Sequence, residues 1–540
     1  MNFDQIILLG SIFIPALASI VLFLEICKSD KIAKKIAYFS FGFPFISGIL
    51  LFLRFDNSLE GYDFVVLFSR TGLQELNIHF HLGLNGISSP LFAMAGIVGM
   101  GAGITAIHSG VDRLRLYLAL LLFMQSGLMG LFASIDLFFY YLFHEFALIP
   151  TFIMIGIWGS RDRKSIALEL TIYLTLGALV SLGGLIALNV LVDAPNFDFP
   201  SLSRAVSELG MESSVQSNIF GLLLFGFGIL VALFPFHTWA PRGYDAAPTS
   251  VSMLHAGVLK KFGLYGLIQI ASPLLPDGAM FWSPLLLWLA LGNVLFVGLV
   301  AVSQSNLKSM IGYGSVMHMG YCFLGIAVCS SLGAGSAVML MVAHGLSVSL
   351  MFMLAHNLYT RTGTFEMDDM GGMASKTPLL ACFFIAATLA TIGLPGFGNF
   401  WGEFGVFLSL GEQTQHRLFL FLAALGIIIS AIFGLRAVAK IFFGSASEAH
   451  SSRKKNNQIS DLSFFEMIPA GIILASLLFL GLWPVVVSQR VDREIQTRFE
   501  SQDRTYFSQT TPPCCPPEQE SLDLNSSLPS KEKFLSNPEY

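Results

Sequence analysis

Apolar runs of about 20 residues, each the length of one crossing of a hydrocarbon core, recur along this chain with short polar breaks between them. They predict about fourteen spans, near 4–25, 33–54, 88–108, 115–134, 137–158, 166–191, 217–240, 249–271, 281–303, 308–328, 334–358, 379–411, 417–441 and 464–487. The expected fold is therefore an all-α polytopic membrane protein. One stretch reads differently. "LNIHFHLGLNGIS" (76–88) alternates apolar and polar residues before a turn, which predicts a short extended element on one membrane face. Beyond about 489 the chain turns polar, and 491–540, rich in Pro, Ser and Glu, is expected to be a disordered tail.

Composition sharpens the class. Hydrophobic residues make up 54% of the 540 positions and charged residues 12%, where a soluble protein carries roughly a quarter charged. A net charge of −5 leaves no basic footprint for nucleic acid. None of the six cysteines, including Cys27 and the Cys514–Cys515 pair, has metal-ligand spacing, so neither a zinc nor an iron–sulfur site is supported. The first apolar run follows Asp4 and no basic residue, and continues to Leu24, which reads as a retained span rather than a signal peptide. "KSDKIAKK", "SRDRK" and "SSRKKNN" fall on one side if the spans alternate, placing both termini outside.

An ionisable group at the bilayer centre costs at least ~2.5–3.5 kcal/mol on insertion scales, so each needs a reason. Asp136, His144, Glu145, Glu169, His237, His255, Lys260, Lys261, His318, His344, His356, Glu403, Arg436 and Lys440 all fall in or at the rims of spans. Together they read as a file of proton-carrying groups. Singly, several have plainer readings: Asp136 as a helix cap, Glu169 and Lys440 reaching headgroups, His255 and His356 as satisfied core histidines. Lys260 and Lys261 are harder to dismiss. Adjacent helical residues point about 100° apart, so at least one faces the interior, where it can take up and release a proton.

Two spans carry their own interruptions. "LFPFHTWAPRG" sets His237 between Pro235 and Pro241, each expected to break the seventh span, with His237 in a wet gap. "TLATIGLPGFGNFWGEF" breaks the twelfth at Pro395 and Gly396, with Glu403 beyond. Such paired breaks point to inverted repeats with sites at the midplane. The expected organisation is spans one to three with the extracytoplasmic element in 1–112, a first five-helix repeat in 113–272, an inverted second in 280–445, the last span in 460–490, and the tail.

"FHEFALIP", "FPFHTWAP", "APTSVSMLHAGVLKKFGLYGL", "NLKSMIGYGSVMHMG", "AHGLSVSLMF" and "GLPGFGNFWGEF" resemble, in order, the motifs of the chain M (chain 4) family of antiporter-like subunits of proton-pumping NADH:quinone oxidoreductase, respiratory complex I. The resemblance implies a proton-translocating membrane-arm subunit of that translocase, carrying no redox site itself. FMN, iron–sulfur clusters and quinone would belong to partner subunits. The partners would be neighbouring antiporter-like subunits, a redox hydrophilic arm and the lipid bilayer, in a bacterial inner membrane rather than an organellar one. By position it implies a relay of Glu145, Lys261, His318 and Glu403, with Lys260, His237, His344 and Glu169 as further candidates. One departure stands out: the family's lysine seven residues before His237 is Leu230 here. Either Lys260 or Lys261 then answers Glu145, or the intake half-channel is altered. Asn85 and Asn306 likewise replace family aspartates. Two rival functions follow: a subunit of a multi-subunit Na⁺/H⁺ antiporter or membrane-bound hydrogenase, or a structural scaffold with an altered channel.

Overall fold

The computed structural model describes residues 1–26, 28–56, 61–68, 77–160, 162–444 and 459–510. Cys27, Cys514, Cys515, Arg161, Leu76, the "SSRKKNN" loop and residues 511–540 lie outside the described residues.

In chain order the helices are α1 (Phe3–Phe23), α2 (Asp30–Arg54), α3 (Ser88–His108), α4 (Leu114–Ala133), α5 (Leu137–Trp158), α6 (Arg163–Val192), α7 (Phe199–Leu209), α8 (Ser213–Val231) and α9 (Trp239–Ala246). A continuous rod over residues 249–274, α10, follows. Then come α11 (Pro276–Ser303), α12 (Leu307–Ala327), α13 (Ser331–Thr362), α14 (Pro378–Ile392), α15 (Gly398–Glu412), α16 (Thr414–Phe442), α17 (Phe464–Leu482) and α18 (Val485–Thr510). Twelve of the described helices are long and apolar enough to cross a membrane.

Local chemistry sets many boundaries. Asp136 caps α5 by accepting the N–H groups of Phe138 and Phe139 (2.8 and 3.2 Å), and Asn306 caps α12 through Ser309 N–H. Gly363, at φ +74°, closes α13. Residues 333–355 of α13 and 249–272 of α10 are buried on every side, so these two rods form the central column. At the periphery, Phe13, Leu17 and Ile20 of α1 and Leu168, Ile172, Leu176 and Leu179 of α6 repeat at helical spacing on exposed faces, as lipid-facing stripes do.

Three features correct the sequence reading. The extended element exists as β2 (Phe80–Leu84), but it pairs antiparallel with a strand the pattern did not mark, β1 (Asp63–Phe68). The polar stretch after 491 is not tail from its start, because α18 runs to Thr510. Val487, Val491 and Ile495 bury one face of it, a period of four that polar neighbours mask. Finally, Pro241 breaks nothing. It is the third residue of α9, where the first-turn N–H groups have no intrahelical partner, so a missing donor costs nothing.

Candidate functional site

The interruption at the first break lies between Val231 and Trp239. Ala232 takes φ +70°, and Pro235 and His237 follow in a turn. The backbone groups freed there are met by protein. Asn293 of α11 donates its amide to the carbonyls of Ala232 (3.0 Å) and Val316 (3.1 Å), while its Oδ1 accepts Phe234 N–H (2.6 Å). His237 is buried against Phe234, and its Nδ1 makes no well-formed hydrogen bond. Below the break, Lys308 donates to the carbonyls of Asp245 (2.9 Å) and Ala247 (2.7 Å), a cation set on the C-terminal end of α9.

The second break lies between Ile392 and Gly398, and Gly393 (φ +82°) and Gly396 (φ +105°) take backbone angles that favour glycine. Pro395 lies between them. A Cβ on Gly393 would stand 2.3 Å from Glu403 Oε2, so the carboxylate rests directly on the break. Its other oxygen, Oε1, bonds His318 Nδ1 at 3.0 Å. Both side chains are buried.

From this pair the site extends to the central column. The His318 and His344 rings are 5.7 Å apart, and His344 Nδ1 accepts from Lys261 Nζ at 3.1 Å. This reach depends on close helix approach. A Cβ on Gly257 would lie 2.1 Å from Ser349 Oγ, and one on Gly345 would lie 2.6 Å from Gly257 O, so two glycines let α10 and α13 touch. The rod is also widened there. His255–Leu259 is a π turn, and Lys261 Nζ also donates to the carbonyl of Ala256 (2.7 Å). Such bulges collect at functional positions. Lys260, equally buried, turns elsewhere and donates to Ser315 Oγ at 3.2 Å.

Not every expected residue joins this file. Glu145 is partly exposed, and its described ion pair is with His144 Nδ1 at 3.5 Å, not with either lysine. His144 stacks on Phe262 (ring centroids 3.9 Å), next to Lys261 in sequence. Leu230 is buried in the apolar core. Glu169 pairs with half-exposed Arg242 (2.6 Å), tying α6 to α9, an arrangement worth little energetically. Lys440 pairs with exposed Asp368, and Arg436 donates to the Gln304 carbonyl. His255 stacks on Trp239 and meets Tyr244 edge-on, and His356 Nδ1 lies 3.3 Å from Thr249 Oγ1, as core histidines do. Asn85 and Asn306, the changed family positions, are both satisfied: Asn85 by Ile87 and Ser88 N–H, Asn306 by Ser309 N–H and Glu366.

Asn293, Lys308 and Ser315 went unmarked in the sequence. A lone amide in the apolar run "LALGNVLFVGLV" was the available signal for Asn293, since an unpaired amide in lipid is costly. Among the described residues, no group of three or more His, Cys, Asp or Glu is placed to hold a metal ion.

A bundle of long apolar helices with buried lysine, histidines and glutamate meeting at interrupted segments defines a polytopic ion-translocating membrane subunit. The family model for the transmembrane region of NADH:quinone oxidoreductase/Mrp antiporters matches residues 134–432, and the chain belongs to this family. It is 33% identical to NADH-quinone oxidoreductase subunit M of Rickettsia bellii, over 88% of this chain and 94% of that one. It is 32% identical to NAD(P)H-quinone oxidoreductase chain 4 1 of Picosynechococcus, over 89% and 90%. Among solved structures, a chain of respiratory complex I from Thermus thermophilus superposes with a TM-score of 0.81 at 26% identity, covering 92% of this chain and 99% of that one. A chain of the Mrp complex from Dietzia shares the fold (TM-score 0.79, 16% identity, 94% and 99% covered).

Proposed function

We propose that this chain is the proton-translocating, antiporter-like membrane-arm subunit of a bacterial NADH:quinone oxidoreductase, and that Lys261, His344, His318 and Glu403 are its central proton path. The observation that carries this reading is the buried file itself. Lys261 Nζ and His344 Nδ1 are in hydrogen-bond contact, as are His318 Nδ1 and Glu403 Oε1. Between the two pairs, His344 Nε2 and His318 Nε2 are both buried without a partner. Two unpartnered nitrogens on rings whose centroids are 5.7 Å apart suit a bridging water.

Charge sets the direction. A charged Lys261 donates to His344 Nδ1, which leaves the proton of a neutral His344 on Nε2. The Glu403 carboxylate accepts from His318 Nδ1–H, which leaves the Nε2 of a neutral His318 as an acceptor. The free nitrogens therefore form a donor and an acceptor in sequence, and the file is polarised from Lys261 towards Glu403. Protons would be taken up on the inner side past Glu145 and His144 and leave beyond Glu403.

The twelve long helices, the rod over 249–274 and the interrupted pair α14–α15 would bring the crossings to fourteen, in two inverted five-helix repeats with both termini outside. Moving one charge against 100 mV costs about 2.3 kcal/mol. That energy would come from electron transfer in the partner redox arm, where FMN, iron–sulfur clusters and quinone would reside, and reach this chain through neighbouring membrane subunits.

The test is proton translocation per electron in proteoliposomes of the assembled complex carrying Lys261→Met or Glu403→Gln. Translocation through this subunit should be lost while electron transfer persists. Unchanged translocation in both variants would end the reading, and translocation that follows external Na⁺ would replace it with cation exchange.

A further inference from the structure

We propose that α10 carries a second polar file, running from Lys261 to the face that holds the β-hairpin, and that Arg498 and Glu494 of α18 stopper it against proton leak. This rests on reading Lys261 as a proton carrier. Tyr265 lies four residues beyond Lys261 and Gln269 eight beyond, so all three fall on one side of the rod. Tyr265 Oη is buried facing Ser88 without a well-formed hydrogen bond, and Ser89 Oγ and Ser272 Oγ are buried without one. Hydroxyls unpaired inside a protein are where ordered water is found. Tyr265 lies on α10 between Lys261 and Gln269, Ser89 follows the Ser88 that Tyr265 faces, and Ser272 lies just past Gln269 on the same rod.

At the end of that stretch the polar groups become fully paired. The Gln269 amide bonds Asn85 (3.1 Å) and Tyr62 Oη (2.7 Å), and Arg498 Nη1 donates to the Gln269 carbonyl at 3.3 Å. Arg498 in turn forks onto Glu494 Oε1 (2.6 and 2.8 Å). Burial pushes the Tyr62 hydroxyl up to about 12, so it stays protonated. A guanidinium does not give up its proton under physiological conditions, so Arg498 cannot pass one on. Arg498 and Glu494 both lie within electrostatic range of Tyr265, and their ion pair fills the mouth where a water thread would otherwise emerge. α18 is held in place independently of this pair. Val487, Val491 and Ile495 are buried, and Arg490 lies on the Phe52 ring at 4.1 Å. Neutralising the pair therefore leaves the helix docked.

The experiment needs no electron donor. Vesicles containing the assembled complex are given a potassium diffusion potential with valinomycin, and proton influx is read from an internal pH dye. The Glu494→Gln/Arg498→Gln double variant is expected to raise influx severalfold over the parent, and Arg498→Gln alone to do so as well. Adding Tyr265→Phe, which removes the hydroxyl that α10 carries between Lys261 and Gln269, should return influx to the parental level. Parental influx in both assembled stopper variants overturns the proposal, and so does a leak that survives Tyr265→Phe. The Glu403→Gln result bears on turnover and this one on passive leak, so the two readings fail separately.

Discussion

Asn293 offers the sharpest test of how the first break is kept in a membrane. Replacing it with leucine keeps the volume and removes three hydrogen bonds, stranding the carbonyl of Ala232 and the N–H of Phe234, while the Val316 carbonyl keeps its place in the α12 ladder. Each buried group left without a partner costs about 1–3 kcal/mol, giving ~2–6 kcal/mol for the two if the site is dry. Native stabilities are themselves only about 5–15 kcal/mol, so the Asn293→Leu subunit should melt many degrees lower or fail to assemble. Thermal unfolding of the purified complex, followed by size-exclusion recovery after heating, measures this. Asn293→Gln keeps both functions of the amide and should lose clearly less. If Asn293→Leu melts within a degree of the parent, water already reaches those groups. The break would then be a hydrated gap, as the sequence alone had implied, and the stitching argument would be wrong.

Four further outcomes follow. Gly393→Ala forces an L-residue into a left-handed conformation at about 1–2 kcal/mol and places a methyl 2.3 Å from Glu403 Oε2, so protons per electron should fall in an assembled complex; an unchanged ratio would clear Gly393. Gly345→Val should separate α10 from α13 and pull Lys261 away from His344, lowering translocation as Lys261→Met does although no titratable group changes; full activity would show that the glycine contact does not set that distance. Lys308→Met removes the cation from the C-terminal end of α9, worth up to ~2 kcal/mol in partly buried settings, and should lower the melting temperature by several degrees. Asp198, outside the spans, is pushed up by burial, but hydrogen bonds from Ser201 and pairing with His81 outweigh this and hold it below its ordinary 3.8. Its stabilisation is present above 3.8 and lost as pH falls through the lower folded value, so Asp198→Asn should flatten the acid limb of a stability-against-pH curve.

What the sequence made legible was what lipid penalises. Runs of apolar residues located the long helices because the length of a crossing is fixed. Glu403 and His318 stood out because charge inside oil needs a reason. The remainder turns on partners far away in sequence. Pro241 looked like Pro235 in the string, and only the position of the α9 start separates a harmless first-turn proline from one inside the interruption. The π turns of α10 leave no composition signal, yet they place the Ala256 carbonyl against Lys261. β1 reads DFVVLF, an unbroken apolar run after Asp63 with no alternation to mark it as a strand. α18 hid for a different reason: its polar residues outnumber its apolar ones, and Arg490 and Glu494 read as solvated until their buried positions are seen. The expected answer of a lysine to Glu145 also depended on distance, and the structure gives Glu145 to His144 instead.

The proposed path has a consequence in the chemistry of its two imidazoles. Lys261 fixes His344 from one side and Glu403 fixes His318 from the other, each through Nδ1. When a proton steps along this file, each ring receives on one nitrogen and releases from the other, so both end in the opposite tautomer. His344 then has a proton on Nδ1, facing Lys261, and His318 has lost the one that faced Glu403. A second proton cannot follow until the rings turn or the end charges change. On the proposed path the file would therefore pass one proton and then wait for its rings to turn or its end charges to change. The lysines suit this cycle because their hydrogen-bond partners are neutral: a carbonyl and an imidazole for Lys261, a hydroxyl for Lys260. A buried lysine locked to a carboxylate would be held by an interaction costing about 3–5 kcal/mol to break. Here the carboxylate sits at the far end of the file, two rings away.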